Sequence, residues 1–284
     1  MKTRTTLLLA LALLLPISHG QAEAADTDRS QKTIAIAVFA GENLDLVRIG
    51  ALVFGNKRAS VPLPDDAFEV AIASAIVSQI SAEGQYSTKT LTTPQTQRAE
   101  IRKAIQESIG GAFTQSIRNP PQELIDLAQS CACEKLLVVL GASITDGPNS
   151  NQRFGPIAWT GYTGLGSPPT STALWLPMQY LLIDPSSIKL LDSARSANES
   201  YDPFVSESVD AKLWQESMLE VSLEAWNELH LAAQRLMSKS SRLPLFQLGL
   251  RPSCGIKFHV RRRVRGEPVP EPTLPPGAEV SKCP

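Results

Sequence analysis

The residues whose types and spacing could carry chemistry are four cysteines, three histidines, a Ser-x-x-Lys quartet, a glycine-rich stretch and an arginine run. The cysteines, Cys131, Cys133, Cys254 and Cys283, all lie after residue 130. In an oxidising compartment disulfides are their default state, and four cysteines allow three connectivities. Cys254 with Cys283 would close a loop of about 30 residues and add ~3–4 kcal/mol in the chain-entropy picture. Cys131-Ala132-Cys133 could close on itself in a short, strained ring, and bridges from that pair to the tail are equally open. Read as a metal or redox site, the pair lacks both Cys-x-x-Cys spacing and paired histidines nearby. No metal and no cofactor is expected.

Nucleophilic hydrolysis has little to rest on. The Gly-x-Ser-x-Gly elbow of the α/β-hydrolases does not occur. Ser186-Ser-Ile-Lys189 matches Ser-x-x-Lys in form, but it falls in a turn, where no helix holds the lysine one turn from the serine. Beyond the leader there are only His230, on the polar side of a helix, and His259, whose side chain diverges from Cys254 on an extended segment. No His-Glu-x-x-His is present. Gly161-Tyr-Thr-Gly-Leu-Gly166 invites a phosphate-loop reading, but Pro168 and Pro169 follow in place of the helix whose N-terminus would meet the phosphate. Asp65-Asp66 reads as helix capping and Asp184 as a turn residue, while a carboxylate pair assembled from distant positions stays open. Arg261, Arg262, Arg263 and Arg265 form either a solvated edge or a docking patch for anionic envelope polymer or lipid head groups, at ~1 kcal/mol per charge near such a surface.

The elements that must position these residues are legible as periodicities. Thr33 to Phe39 reads as a buried strand, and Leu46 to Phe54 as a second. Asp66, with Glu69 three residues on, completes a capping-box pattern before a helix of Phe68, Ile72, Ala75, Ile76 and Ile80 that ends at Gly84. Tyr86 to Leu91 is a strand, and Thr93-Pro94 and Asn119-Pro120 each open a helix. Lys135 to Ala142 is apolar on both faces, as a central strand is. Residues 145–173 read as a long loop that displays Phe154, Trp159 and Tyr162 as a binding surface. Leu174 to Ile183 and Ile188 to Ala194 pair as a hairpin, and Val209 to Met237 carries a single apolar stripe of helical period. This order predicts an α/β fold: one compact domain with a mixed sheet covered by helices.

Both ends are read as separate from that domain. Lys2 and Arg4, the nine-residue apolar run Leu7–Leu15 and small residues up to Gly20 and Ala24 have the form of a secretory signal. A membrane-spanning helix needs about 20 apolar residues. Cleavage is expected after Ala24, with Gly20 as the other option. The organisation is therefore a signal peptide over 1–24, a flexible segment over 25–32, an α/β domain over 33–265 and a disordered Pro-rich tail over 266–284. Removing the signal leaves 25 basic against 27 acidic residues, which argues against nucleic acid as a partner.

The segments KLLVVLGASITD (135–146) and QYLLIDPSSIKLLDSAR (179–195), in this element order, resemble a family of periplasmic α/β domains. It is the family of the curli secretion channel lipoprotein, the N-terminal domain of the Tol-system propeller protein and the lipoprotein activators of peptidoglycan synthases; RIGALVFGN also resembles uncharacterised exported proteins with this layout. The likeness covers roughly residues 33–240. It implies an assembly or docking role, with an envelope protein or cell-wall polymer as partner. The chain departs from these lipoproteins in having no cysteine near the cleavage region. The expectation is a non-enzymatic binding or accessory protein, periplasmic or secreted, with no transmembrane segment; an envelope hydrolase and a secreted effector are the alternatives. Oligomeric state is left open.

Overall fold

A computed structural model of the chain describes residues 32–48, 57–63, 66–82, 84–109, 120–145, 152–154, 157–161, 171–196, 205–210 and 221–251. The signal segment, Tyr162, Cys254, Cys283, the four arginines at 261–265 and the Pro-rich tail lie outside them.

The first strand, β1 (Lys32–Phe39), alternates without a polar face: Ile34, Ile36 and Val38 point to one side, and Ala35, Ala37 and Phe39 to the other. Both sides must be covered, so β1 belongs at the centre of a sheet. The chain continues through β2 (Asn43–Arg48), β3 (Lys57–Pro62), α1 (Ala67–Ser81), β4 (Tyr86–Thr90), α2 (Gln95–Ile109), α3 (Gln122–Ser130) and β5 (Lys135–Gly141). Then come β6 (Ser143–Thr145), β7 (Gln152–Phe154), β8 (Ile157–Gly161), β9 (Ser171–Trp175), β10 (Met178–Asp184), β11 (Lys189–Arg195), β12 (Ser206–Val209), α4 (Leu223–Ser240) and α5 (Arg242–Gln247).

The central sheet has the order β11-β10-β5-β1-β4 and is mixed. Strand β1 runs parallel to β4 and β5, while β10 is antiparallel to β5 and β11. From β1 the chain crosses to β4 on one flank, and from β4 it returns past β1 to β5 on the other. Right-handed crossovers in opposite directions put their helices on opposite faces of the sheet. Accordingly α1 and α4 pack on the face of Ile34, Ile36 and Val38, and α2 and α3 on the face of Ala35, Ala37 and Phe39. The fold is thus an α/β domain with a mixed sheet covered by helices, and all described residues lie in one unit, residues 31–284.

A second five-stranded sheet, β12-β9-β8-β2-β3, was not expected. It adds Leu44, Leu46, Ala158, Leu174 and Val209 to the core around α1 and α4. Residues 145–173 are therefore not one long loop: β7 and β8 lie within them and β9 begins there. The strand read from Leu174 to Ile183 is two strands in two sheets. Pro177, which has no N–H for a ladder, marks the passage between them, and its carbonyl accepts from the Ala142 N–H at 2.7 Å. The helix expected from Val209 begins at Leu223, because Ser222 caps it by accepting from the Ala225 N–H at 3.1 Å, while Ser206–Val209 is a strand. Leu245 to Leu250 falls largely in α5 and the turn after it. The helix before Gly84 and the hairpin at Asp184 stand where the pattern puts them; Gly84 takes φ 65°, which suits glycine.

Candidate functional site

In open parallel sheets, ligands bind outside the carboxyl ends of the strands, where adjacent connections leave toward opposite faces. Here that place is the crevice between the ends of β1 and β4. A cleft of about 620 Å³ opens there, lined by Gly41 and Glu42 after β1, Pro62 and Leu63 after β3, Asp66 at the start of α1, and Gln95, Arg98, Ala99 and Arg102 on α2. Its volume is that of a small-molecule or side-chain pocket.

Charge in the cleft is organised by Arg98 and Arg102, one helical turn apart on α2 and therefore on one face. Arg98 Nε donates to the Thr93 carbonyl at 2.8 Å, and its Nη1 donates to Glu69 Oε2 at 3.0 Å and to Asp66 Oδ1. Arg102 Nη2 donates to Glu69 Oε1, and its Nη1 lies 3.9 Å from Glu42 Oε1. Glu69 is thus held by both guanidiniums, with a further backbone hydrogen bond at Ala40. The side chains of Arg98 and Glu69 are each 13% exposed, against 44% for Asp66 and 61% for Glu42. The expected capping box does not form, because Asp66 makes no side-chain cap. A buried guanidinium offers its carboxylate a stronger, charge-assisted partner than a helix N–H does.

The two carboxyls titrate in opposite directions. Arg98 holds Asp66 below its ordinary value, and burial pushes Glu69 up against the pull of the two arginines. With all groups ionised, Glu42, Asp66 and Glu69 outweigh the arginines by one negative charge. Arg98 and Arg102 are mostly buried, at 13% and 18% exposure, so the more exposed charged groups of the cleft are the carboxylates of Glu42 and Asp66, beside the amide of Gln95, which carries an acceptor oxygen and an NH2 donor. That set accepts from amines, amides and hydroxyls and repels phosphate. Among the described residues lining the cleft there is no serine, cysteine or histidine. Among the described residues no group of three or more His, Cys, Asp or Glu could hold a metal.

The described residues among those singled out as site candidates, Phe154, Trp159, Cys131 and Cys133, are not in the cleft lining. Phe154 sits on the two-stranded β6–β7 sheet opposite Ser143, and Trp159 on β8 between Val47 and Ala173. The two aromatics therefore belong to different sheets. Cys131 and Cys133 are bonded to each other, 5.3 Å apart at Cα, at the junction of α3 and β5. In the chain-entropy picture a three-residue loop contributes about 1.6 kcal/mol, roughly half of what a 15-residue loop would. Ser186 and Ser187 both donate to the Asp184 carboxylate in the hairpin turn, so the Ser-x-x-Lys quartet is turn structure. Among the described residues no helix is long and apolar enough to cross a membrane.

No protein-family model matches the sequence, and no curated protein matches it. Among solved structures the chain is weakly similar to a protein of Xanthomonas campestris, at TM-score 0.31 and 7% identity over 73% of this chain and 80% of that one. A hypothetical protein of Chlamydia trachomatis gives TM-score 0.31 and 11% identity over 73% and 91%. The LpoB C-terminal domain from Salmonella enterica gives TM-score 0.19 and 12% identity over 58% and 80%. Likeness at this level says nothing about activity or partners.

Proposed function

We propose that this chain is an exported, non-enzymatic binding or accessory protein of the cell envelope, and that it holds its partner in the cleft between β1 and β4. The observation that carries this reading is the pair of exposed carboxylates at the switch point, Glu42 and Asp66, with the Gln95 amide beside them, over arginines that are mostly buried against Asp66 and Glu69. Such a lip suits a partner rich in amide, amine and hydroxyl donors, which is the chemistry of cell-wall peptides and glycans and of exposed protein loops. The Leu7–Leu15 signal pattern supports delivery to that compartment. Cosedimentation of the mature protein with isolated peptidoglycan sacculi, alongside photo-crosslinking from position 95 in living cells, tests it. Glu42→Gln and Gln95→Ala are expected to weaken capture about tenfold, as loss of a charge-assisted or well-placed hydrogen bond does, with the melting temperature unchanged. Wild-type capture by both variants, or capture of nothing from the envelope, would overturn the reading.

One observation favours a second reading. Two carboxyls displaced in opposite directions beside a cleft are the arrangement by which hydrolases assign an acid and a base. Release of soluble fragments from the same sacculi, abolished by Glu69→Gln, would establish it in place of binding. Against it, both oxygens of Glu69 already accept from arginine, so its proton would have to leave a closed ion-pair network.

A further inference from the structure

We propose that the Cys131–Cys133 bond is a thiol–disulfide exchange site, opened at Cys133 by an incoming thiol without unfolding of the domain. Three observations converge on it. The ring closes only three residues, so it adds little to the stability of the fold. Its closure holds Ala132, a non-glycine residue, at φ 46°, a left-handed conformation that side chains with a Cβ disfavour. Exposure is asymmetric as well: Cys131 is 2% exposed and packs in the core beside Leu127, whereas Cys133 is only half-buried and Ala132 is exposed. Short-ring, strained and accessible disulfides are the labile ones.

The flanks are secured independently of the sulfur bond. The Cys131 N–H donates to Ala128 at 3.4 Å, the Glu134 N–H donates to the Thr33 carbonyl at 3.0 Å, and Lys89 Nζ donates to the Cys131 carbonyl at 3.4 Å. Opening the ring therefore frees Ala132 and leaves α3 and β5 in place. In the exchange, a thiolate attacks Sγ of Cys133, a new sulfur–sulfur bond forms, and the Cys131–Cys133 bond breaks. The electron pair leaves on Cys131 Sγ, which takes a proton from solvent. A second thiolate from the donor then attacks the donor sulfur of the mixed disulfide and releases Cys133. The pair has gained two electrons and two protons, and the donor's two thiols have become a disulfide; the reverse sequence closes the ring again and reduces a disulfide substrate to two thiols.

The test equilibrates the full chain in mixtures of reduced and oxidised glutathione, traps free thiols by alkylation, locates them by peptide mass mapping and follows the fold by circular dichroism. The pair is expected to open while the dichroism is retained, with the glutathione adduct on Cys133. Ala132→Gly is expected to shift the equilibrium about threefold toward the closed ring, and Ala132→Val by a similar factor toward the open dithiol. A pair that stays closed in excess reduced glutathione, or opens only as the dichroism collapses, would overturn the proposal. So would an adduct on Cys131, or a midpoint unmoved by both Ala132 variants.

Discussion

Arg98 shows how one side chain can redirect a local motif. Asp66 and Glu69 have the spacing of a capping box, and in an isolated helix they would turn back on their own N–H groups. In the folded chain they turn outward, because a partly buried guanidinium with no better partner than two carboxylates stands opposite them. Asp184 is the contrasting case, since its role follows from its neighbours alone. Its carboxylate accepts from the N–H and hydroxyl of both Ser186 and Ser187, and these bonds lower its pKa from 3.8 to about 2. Between those two values the unfolded chain binds a proton that the folded chain does not, so folding weakens as pH falls through that window. The turn's contribution is complete above the upper value. Urea unfolding of Asp184→Asn from pH 2 to pH 6 should show a shallower acid decline than the wild type. An unchanged acid limb would mean that the serines do not hold the carboxylate in solution.

At the scale of elements, legibility tracks how completely a segment is covered. Strands β1 and β5 lie between helices on both faces, so they appear in sequence as apolar runs, Ile34–Ala40 and Leu136–Leu140. The second sheet is legible only in fragments, at Leu46 and Leu174, because its strands are short and are separated by glycine and proline. Helix α4 starts later than its apolar spacing implies for a physical reason: the spacing carries no stop, and the stop is supplied by Ser222. Ser222→Ala should therefore cost about 1 kcal/mol in chemical denaturation, while Ser222→Asp should stay close to wild type. Upstream, Glu207 on β12 accepts from Arg235 at 3.0 Å and from Lys239 at 2.8 Å on α4, an ion-pair tie between strand and helix that no local pattern announces. The cleft was hidden for the same reason. Arg98 and Arg102 look like an ordinary solvated helix face until the β1-α1-β4-α2 path sets them against Asp66 and Glu69.

Among the described residues, the two sheets are joined by short connections, from β1 to β2 and from β9 to β10, with α1 and α4 packed in the common core. This arrangement divides the backbone into parts of unequal security. The β1–β5 pair is flanked by a strand on either side and covered on both faces, whereas β3 and β12 are edge strands of the second sheet. Opening the centre would expose both apolar clusters at once, and opening the second sheet would expose part of one. Amide hydrogen exchange should consequently be slowest over Ile34–Phe39 and Leu136–Leu140, at the free energy of global unfolding, and faster by orders of magnitude in β3 and β12. Such a gradient would let the cleft lip at Glu42, Pro62 and Leu63, carried by the less protected sheet, adjust to a partner while Arg98 and Glu69 stay anchored to the central one. Uniform exchange across both sheets would show instead that they open together, and the cleft would then have to be regarded as rigid on both walls.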